Sequence, residues 1–96
     1  MNEYLNLPMI RERLISLFNR QRTTVWFEER TGIKRYRWQN IKSGHSRLGA
    51  EEIEAVVKLF PEYSLWLVSG EIAPEVGQTS PEYDEVKSKL DSHAEG

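Results

Sequence analysis

The fold of this chain is decided by residues 24–44, TVWFEERTGIKRYRWQNIKSG. A helix is predicted to start at Thr23 or Thr24, because a threonine hydroxyl accepts hydrogen bonds from the free amides at a helix N-terminus. Two carboxylates and a closing arginine suit the dipole of this short helix. Gly32 predicts its end, where a residue with positive φ is usually required.

A second short helix is predicted after this turn, over residues 34–42. Trp38 and Ile41 lie three positions apart, so they share one face and are predicted to point into the core. Gly44 follows as the residue that ends the helix. Two very short helices joined by a tight glycine-containing turn, the second of them basic, predict a helix-turn-helix unit.

Apolar residues at helical spacing predict three further short helices around this unit. The first opens at Asn6-Leu7-Pro8, the fourth begins near Gly49-Ala50 and stops at Pro61, and the fifth covers residues 62–69. Their predicted inward residues are Ile10, Leu14, Leu17 and Phe18, then Ile53, Val56, Val57 and Phe60, then Leu65, Trp66 and Val68. The expected fold is all-α, with five helices in residues 1–70.

Composition excludes several classes of protein. The 96 residues include no cysteine, which excludes disulfides, zinc sites made of thiolates and cysteine nucleophiles. The longest uncharged apolar run, residues 65–68, is far too short to span a bilayer, and no secretory signal is visible. Neither the two histidines nor the carboxylate clusters form a metal-binding or catalytic set. We therefore expect a cytoplasmic binding protein that is not an enzyme, with no cofactor, membrane or small-molecule ligand.

Charge divides the chain into two halves of opposite sign. Residues 1–48 carry ten basic residues against four acidic ones, whereas residues 49–96 carry three against eleven. A local basic excess of this kind fits a polyanionic partner. The alternative from charge alone is a solvated basic face with an acidic counterweight.

Residues 24–44 resemble the helix-turn-helix of the lambda-repressor/Cro (XRE-type) family, with the turn and the closing glycine at that family's spacing. The two helices that follow also resemble the family's last two, so the similarity covers roughly residues 7–70. The sequence departs from the family at Glu28, where alanine is usual, and at Trp38, where isoleucine or valine is usual.

The resemblance and the basic second helix together define a candidate DNA-binding set. The predicted base-reading residues are Arg35, Tyr36 and Gln39. The predicted phosphate contacts are Thr24, Lys34, Arg37, Asn40, Lys42, Ser43, His45 and Arg47. These roles imply a sequence-specific transcriptional regulator, a small phage-type or prokaryotic repressor that binds a palindromic operator as a homodimer.

Competing interpretations stay open for several of these residues. Arg35 could be a solvated surface arginine, Tyr36 could pack on its neighbours, and Arg37 could pair with Glu28 or Glu29. Trp26, Phe27, Tyr36 and Trp38 could stack single-stranded bases, although the motif places two of them in the core. Trp26 could cover the first helix or face a duplex backbone. An exposed Trp26 with Tyr36 would instead suit a protein-binding adaptor or antitoxin-like control protein.

Residues 71–96 form an acidic tail, with two lysines against seven acidic residues. Ser80-Pro81-Glu82 predicts a helix near residues 81–91, with Tyr83, Val86 and Leu90 on one face. That helix could dimerise, dock on its own domain or fray.

Overall fold

The computed structural model describes the backbone of residues 9–95 and the side chains of residues 9–91. This part of the chain forms the α-helices α1 Ile10–Ile15, α2 Thr24–Thr31, α3 Arg35–Ser43, α4 Ala50–Leu59, α5 Ser64–Ser69 and α6 Pro81–Glu95. Short 3-10 turns, Pro61–Tyr63 and Pro74–Val76, precede α5 and α6. The predicted all-α fold with an additional C-terminal helix is confirmed.

The ends of α2 and α3 follow the predicted start and stop signals. The Thr23 hydroxyl accepts a hydrogen bond from the amide of Trp26 at 3.2 Å and so caps the start of α2. Gly32 and Gly44 end α2 and α3 with φ of 77° and 88°. Because other residues are strained at such angles, these two glycines fix where the chain turns.

Helix α1 begins in the described region at Ile10. The predicted opening at Asn6-Leu7-Pro8 lies outside the described residues. The Glu12 carboxylate accepts a hydrogen bond from the amide of Met9 at 2.8 Å, which stabilises the first turn. Leu14 and Leu17 are fully buried, as the apolar spacing predicts.

An aromatic centre joins α2 and α3 to the segment that follows α1. The Phe27 and Trp38 rings are fully buried, with centroids 5.1 Å apart, and Phe18 packs 4.4 Å from Phe27. The remaining buried apolar residues are Leu14, Leu17, Ile33, Ile41, Val56, Phe60, Trp66 and Leu67. Since Phe27 belongs to α2 and Trp38 to α3, their contact fixes the angle between these helices and the direction of the outer face of α3.

One predicted core residue is wrong. Val68 is 55% exposed, and Leu67 is buried in its place, with 1% of its surface accessible. The buried face of α5 lies between Trp66 and Leu67, so Val68 stands about 150° around the helix from its centre. The first turn of the predicted fifth helix is also the separate 3-10 turn Pro61–Tyr63.

The chain turns back on itself after α5. Ala73 and Gln78 form an isolated antiparallel bridge. The Gln78 amide side chain accepts from the amide of Leu65 at 2.9 Å and donates to the carbonyl of Pro61 at 3.0 Å. The amide of Thr79 donates to the carbonyl of Glu62 at 2.8 Å. Residues 73–79 therefore dock against the segment that leads into α5.

Helix α6 is anchored through its first turn. Ser80, 6% exposed, accepts a hydrogen bond from the amide of Tyr83 at 3.0 Å, and Tyr63 donates its hydroxyl to Asp84 at 2.9 Å. Beyond this turn the predicted apolar face is open to solvent, with Val86 57% and Leu90 62% exposed. Within the described part of the chain, no helix combines the length and apolar character that crossing a bilayer requires.

Candidate nucleic-acid interface

Helix α3 has one face in the core and one in solvent. Trp38 and Ile41 are 0% and 1% exposed. The predicted base-reading residues lie on the other side, where Tyr36 is 59% exposed and Arg35 and Gln39 are also exposed. The structure therefore brings Arg35, Tyr36 and Gln39 together on one accessible surface, which we call the α3 outer face.

Glu28 of α2 contacts Arg35 at two points. One carboxylate oxygen accepts a hydrogen bond from the backbone amide of Arg35 at 3.1 Å, and the other lies 3.4 Å from the Arg35 Nε. The Glu28 carboxylate thus binds a free amide at the N-terminus of α3. The ion pair is formed at Nε, while 58% of the Arg35 side chain stays exposed.

Arg37 pairs with α4 rather than with the carboxylates suggested by the sequence. Its guanidinium donates to Glu51 at 2.9 Å and also to Glu52, and not to Glu28 or Glu29. The hydrogen bond to Glu51 and the charge of both carboxylates raise the pKa of Arg37 above its usual value. This pairing joins the middle of α3 to the start of α4. A phosphate contact by Arg37 stays a prediction.

Glu52 is the buried partner in this pairing, with 3% of its surface exposed. Its other carboxylate oxygen accepts the amide of Gly49 at 2.9 Å and so caps α4. A Cβ atom at position 49 would lie 2.8 Å from that oxygen, so the glycine makes room for the carboxylate. The buried charge is thus satisfied on both oxygens, as a charge at this depth requires.

Four residues of the candidate set line an open cleft between the start of α2 and the second half of α3. They are Thr24, Gln39, Lys42 and Ser43. Hydroxyl, amide and ammonium groups of this kind are the side chains that bind phosphate oxygens. The cleft lies beside the α3 outer face because Gln39 belongs to both.

The other predicted phosphate contacts are exposed but do not form one cluster. Lys34 immediately precedes α3, whereas His45 and Arg47 follow it. The Ser43 hydroxyl lies 2.6 Å from the His45 Nδ1. Asn40 is exposed on α3, and its carbonyl accepts the amide of His45 at 2.8 Å.

Two arginines of α1 have structural roles that the sequence analysis missed. Arg11 donates to the carbonyl of Ser46 at 3.0 Å and to that of Ile41, at the C-terminal end of α3. Arg13 donates to the carbonyl of Leu67 at 2.8 Å, near the end of α5. Cations favour helix C-termini. The partners lie 30 or more positions away, so only the basic character of α1 was visible in the sequence.

Trp26 packs against the core, on the side of α2 that meets Phe60. It is half-buried, stacks on Phe60 with centroids 6.0 Å apart and meets the edge of Phe27 at 5.1 Å. The guanidinium of Arg30 lies 4.2 Å above its ring. The packing of Trp26, together with complete burial of Phe27 and Trp38, leaves only Tyr36 exposed among the four aromatics considered for stacking.

No family profile matches the chain, and no curated protein matches it. Among solved structures, it is similar to Pf6r from the filamentous phage Pf6 of Pseudomonas aeruginosa PA01, with 34% identity and a TM-score of 0.79. The similarity covers 88% of this chain and 99% of Pf6r. That share exceeds what residues 1–70 could supply, so the shared fold extends into the acidic C-terminal segment.

Proposed function

The chain belongs to the same family as Pf6r of the filamentous phage Pf6, and we propose that it is a small regulator that binds double-stranded DNA through α3. It acts by binding rather than by catalysis. Its resemblance to the XRE-type helix-turn-helix supports the same proposal and implies that α3 would enter the major groove.

The observation that carries the proposal is the division of α3 into a buried and an exposed face. Trp38 and Ile41 seat the helix in the core, while Arg35, Tyr36 and Gln39 point outward. The major groove is about 12 Å wide and admits a helix. Arginine recognises guanine through O6 and N7, and glutamine recognises adenine through N6 and N7. The adjacent cleft supplies groups for the flanking phosphates.

A single short helix reads only a few base pairs, so the proposal includes a dimer on a palindromic operator. The two recognition helices would then lie about 34 Å apart, one turn of B-DNA. Repression is the regulatory outcome that we propose, since it requires only occupancy of an operator.

Selection of bound duplexes from a random pool, followed by gel shifts on the selected sequence, tests the proposal. The Arg35→Ala variant is expected to lose about 1–3 kcal/mol of binding free energy on the selected sequence. It should also lose the preference for particular base pairs at the positions that Arg35 reads. The Lys42→Ala variant is expected to weaken all sequences alike and to reduce the salt dependence by about one ion.

The Arg20→Ala variant is the matched control, because it removes the same charge from an exposed position outside α3. It should leave the base preference unchanged. A wild-type chain that selects no sequence, or an Arg35→Ala variant with an unaltered preference, would contradict the assignment of α3 as the reading helix. Binding to a protein partner without any duplex binding would favour the adaptor alternative.

A further inference from the structure

We propose that Glu28 is a specificity-determining residue: it positions Arg35 for base recognition without reading a base itself. This inference rests on the proposed function of α3. It is carried by the two contacts that one carboxylate makes with one arginine, at the backbone amide (3.1 Å) and at Nε (3.4 Å).

The two contacts constrain different parts of Arg35. The hydrogen bond to the amide fixes the first turn of α3 relative to α2, and the ion pair restricts the side chain. Glu28 is well placed for this, since its side chain is only 26% exposed whereas that of Arg35 is 58% exposed. The arginine is thus held near its root while its end remains in solvent.

The chemistry of the guanidinium favours this arrangement for base reading. Guanine is recognised by two parallel donors directed at O6 and N7. Glu28 contacts Arg35 at Nε, and the exposed guanidinium carries two further nitrogens at its end that can act as such a pair. A side chain ordered before binding loses less conformational freedom in the complex, so its contribution to affinity for the correct base increases.

Glu29 provides the matched comparison. It is the next residue on α2, it is exposed, and within the described side chains no ion pair or hydrogen bond joins it to a partner. Removing either carboxylate takes one negative charge away from a surface that approaches DNA. Both changes are expected to raise affinity for random duplex, because phosphate repulsion decreases. Only the change at Glu28 is expected to alter sequence preference.

The test compares Glu28→Ala, Glu28→Gln, Glu29→Ala and Arg35→Ala in duplex selection and in binding to specific and random duplexes. Glu28→Ala is expected to lower the ratio of specific to random affinity about fivefold, the lower end for one base contact. The loss of preference in Glu28→Ala should affect the same base pairs as in Arg35→Ala. In the double variant that carries both changes, the loss should be no larger than in Arg35→Ala alone. Glu28→Gln keeps an acceptor for the backbone amide of Arg35, so its ratio of specific to random affinity should lie between those of the wild type and of Glu28→Ala.

A readout without DNA separates this inference from the proposed function. In the wild type, the NMR order parameter of the Arg35 Nε–H is expected to exceed that of the Arg20 Nε–H. In Glu28→Ala the Arg35 value should fall to the Arg20 value, whereas in Glu29→Ala it should stay high. Failure of that pattern would refute the positioning role even if the chain binds DNA. A preserved pattern in a wild type that selects no duplex would refute the proposed function and the specificity role that rests on it. A Glu28→Ala variant with the preference of Glu29→Ala would refute the specificity role alone.

Discussion

The outer faces of α3 and α6 are both open to solvent, but the fold holds them very differently. Helix α3 is fixed at its start by Glu28, in its middle by Glu51 and Glu52, and at its end by Arg11. Its inner face carries fully buried Trp38. Helix α6 is held by contacts in its first turn and then extends with an exposed apolar face. The comparison indicates that the α3 outer face, rather than the outer face of α6, presents its side chains in a fixed geometry.

The two faces also differ in chemistry. The α3 outer face has basic and amide side chains, whereas residues 71–96 have a net charge of −5. Affinity for a duplex depends on cations that neutralise phosphates, so the first face suits a duplex better than the acidic segment does. The exposed Val86 and Leu90 suit an apolar contact instead. Recognition of DNA and contact with another surface would therefore be separated along the chain.

The largest effect is expected where α3 is seated on α2. Phe27→Ala removes a fully buried ring that contacts Phe18 and Trp38. We expect the free energy of unfolding to fall by about 3–5 kcal/mol, the usual range for a buried phenylalanine. Urea denaturation followed by tryptophan fluorescence measures it. A loss below about 1 kcal/mol would mean that the aromatic centre does not support α3.

A smaller effect is expected at the root of α6. Tyr63→Phe removes the hydrogen bond to Asp84 and should lower the free energy of unfolding by about 1 kcal/mol at neutral pH. Amide hydrogen exchange should increase in the first turn of α6 and stay unchanged in α3. Equal increases in both helices would show that the two faces are not held independently.

The same substitution should change the response to alkaline pH. Burial, together with the hydrogen bond to Asp84, raises the pKa of Tyr63 to about 12. Since the folded state keeps this proton longer than the unfolded chain, the contribution of Tyr63 to stability is present below pH 10 and is lost towards pH 12. Denaturation at several pH values should show a shallower alkaline decline for Tyr63→Phe. An unchanged slope would contradict the linkage.

The smallest effect is expected on the outer face of α6. Leu90 is 62% exposed, so Leu90→Ala should change the stability of the monomer by no more than about 0.5 kcal/mol. Sedimentation equilibrium at several protein concentrations should be used to measure the oligomeric state of the wild type and of Leu90→Ala. A larger loss that grows with protein concentration would show that this face is covered by a second copy of the chain.

Much of the fold follows from local signals in the sequence. Thr23, Gly32 and Gly44 set the boundaries of α2 and α3 because capping and positive φ are properties of single residues. The burial of Trp38 and Ile41 follows from their spacing. The prediction that Val68 is buried was wrong because α5 has only six residues, too few for periodicity to define its buried face.

The contacts that position the candidate site were much harder to predict. Arg37 pairs with Glu51 and Glu52 across two helices, and Arg11 reaches the carbonyl of Ile41 from α1. Such partners are set by tertiary packing, which spacing along the chain does not reveal. The sequence therefore indicated which charges are available, and the fold determined which of them are already paired.

The most direct test of the central claim is an NMR titration of the isotope-labelled chain with its selected duplex. Amide shifts are expected in α3 and at Thr24, with side-chain shifts at Arg35 and Gln39, while residues 86–90 of α6 stay unchanged. Shifts confined to α6, or no shifts at all, would contradict the assignment of α3 as the DNA-reading helix.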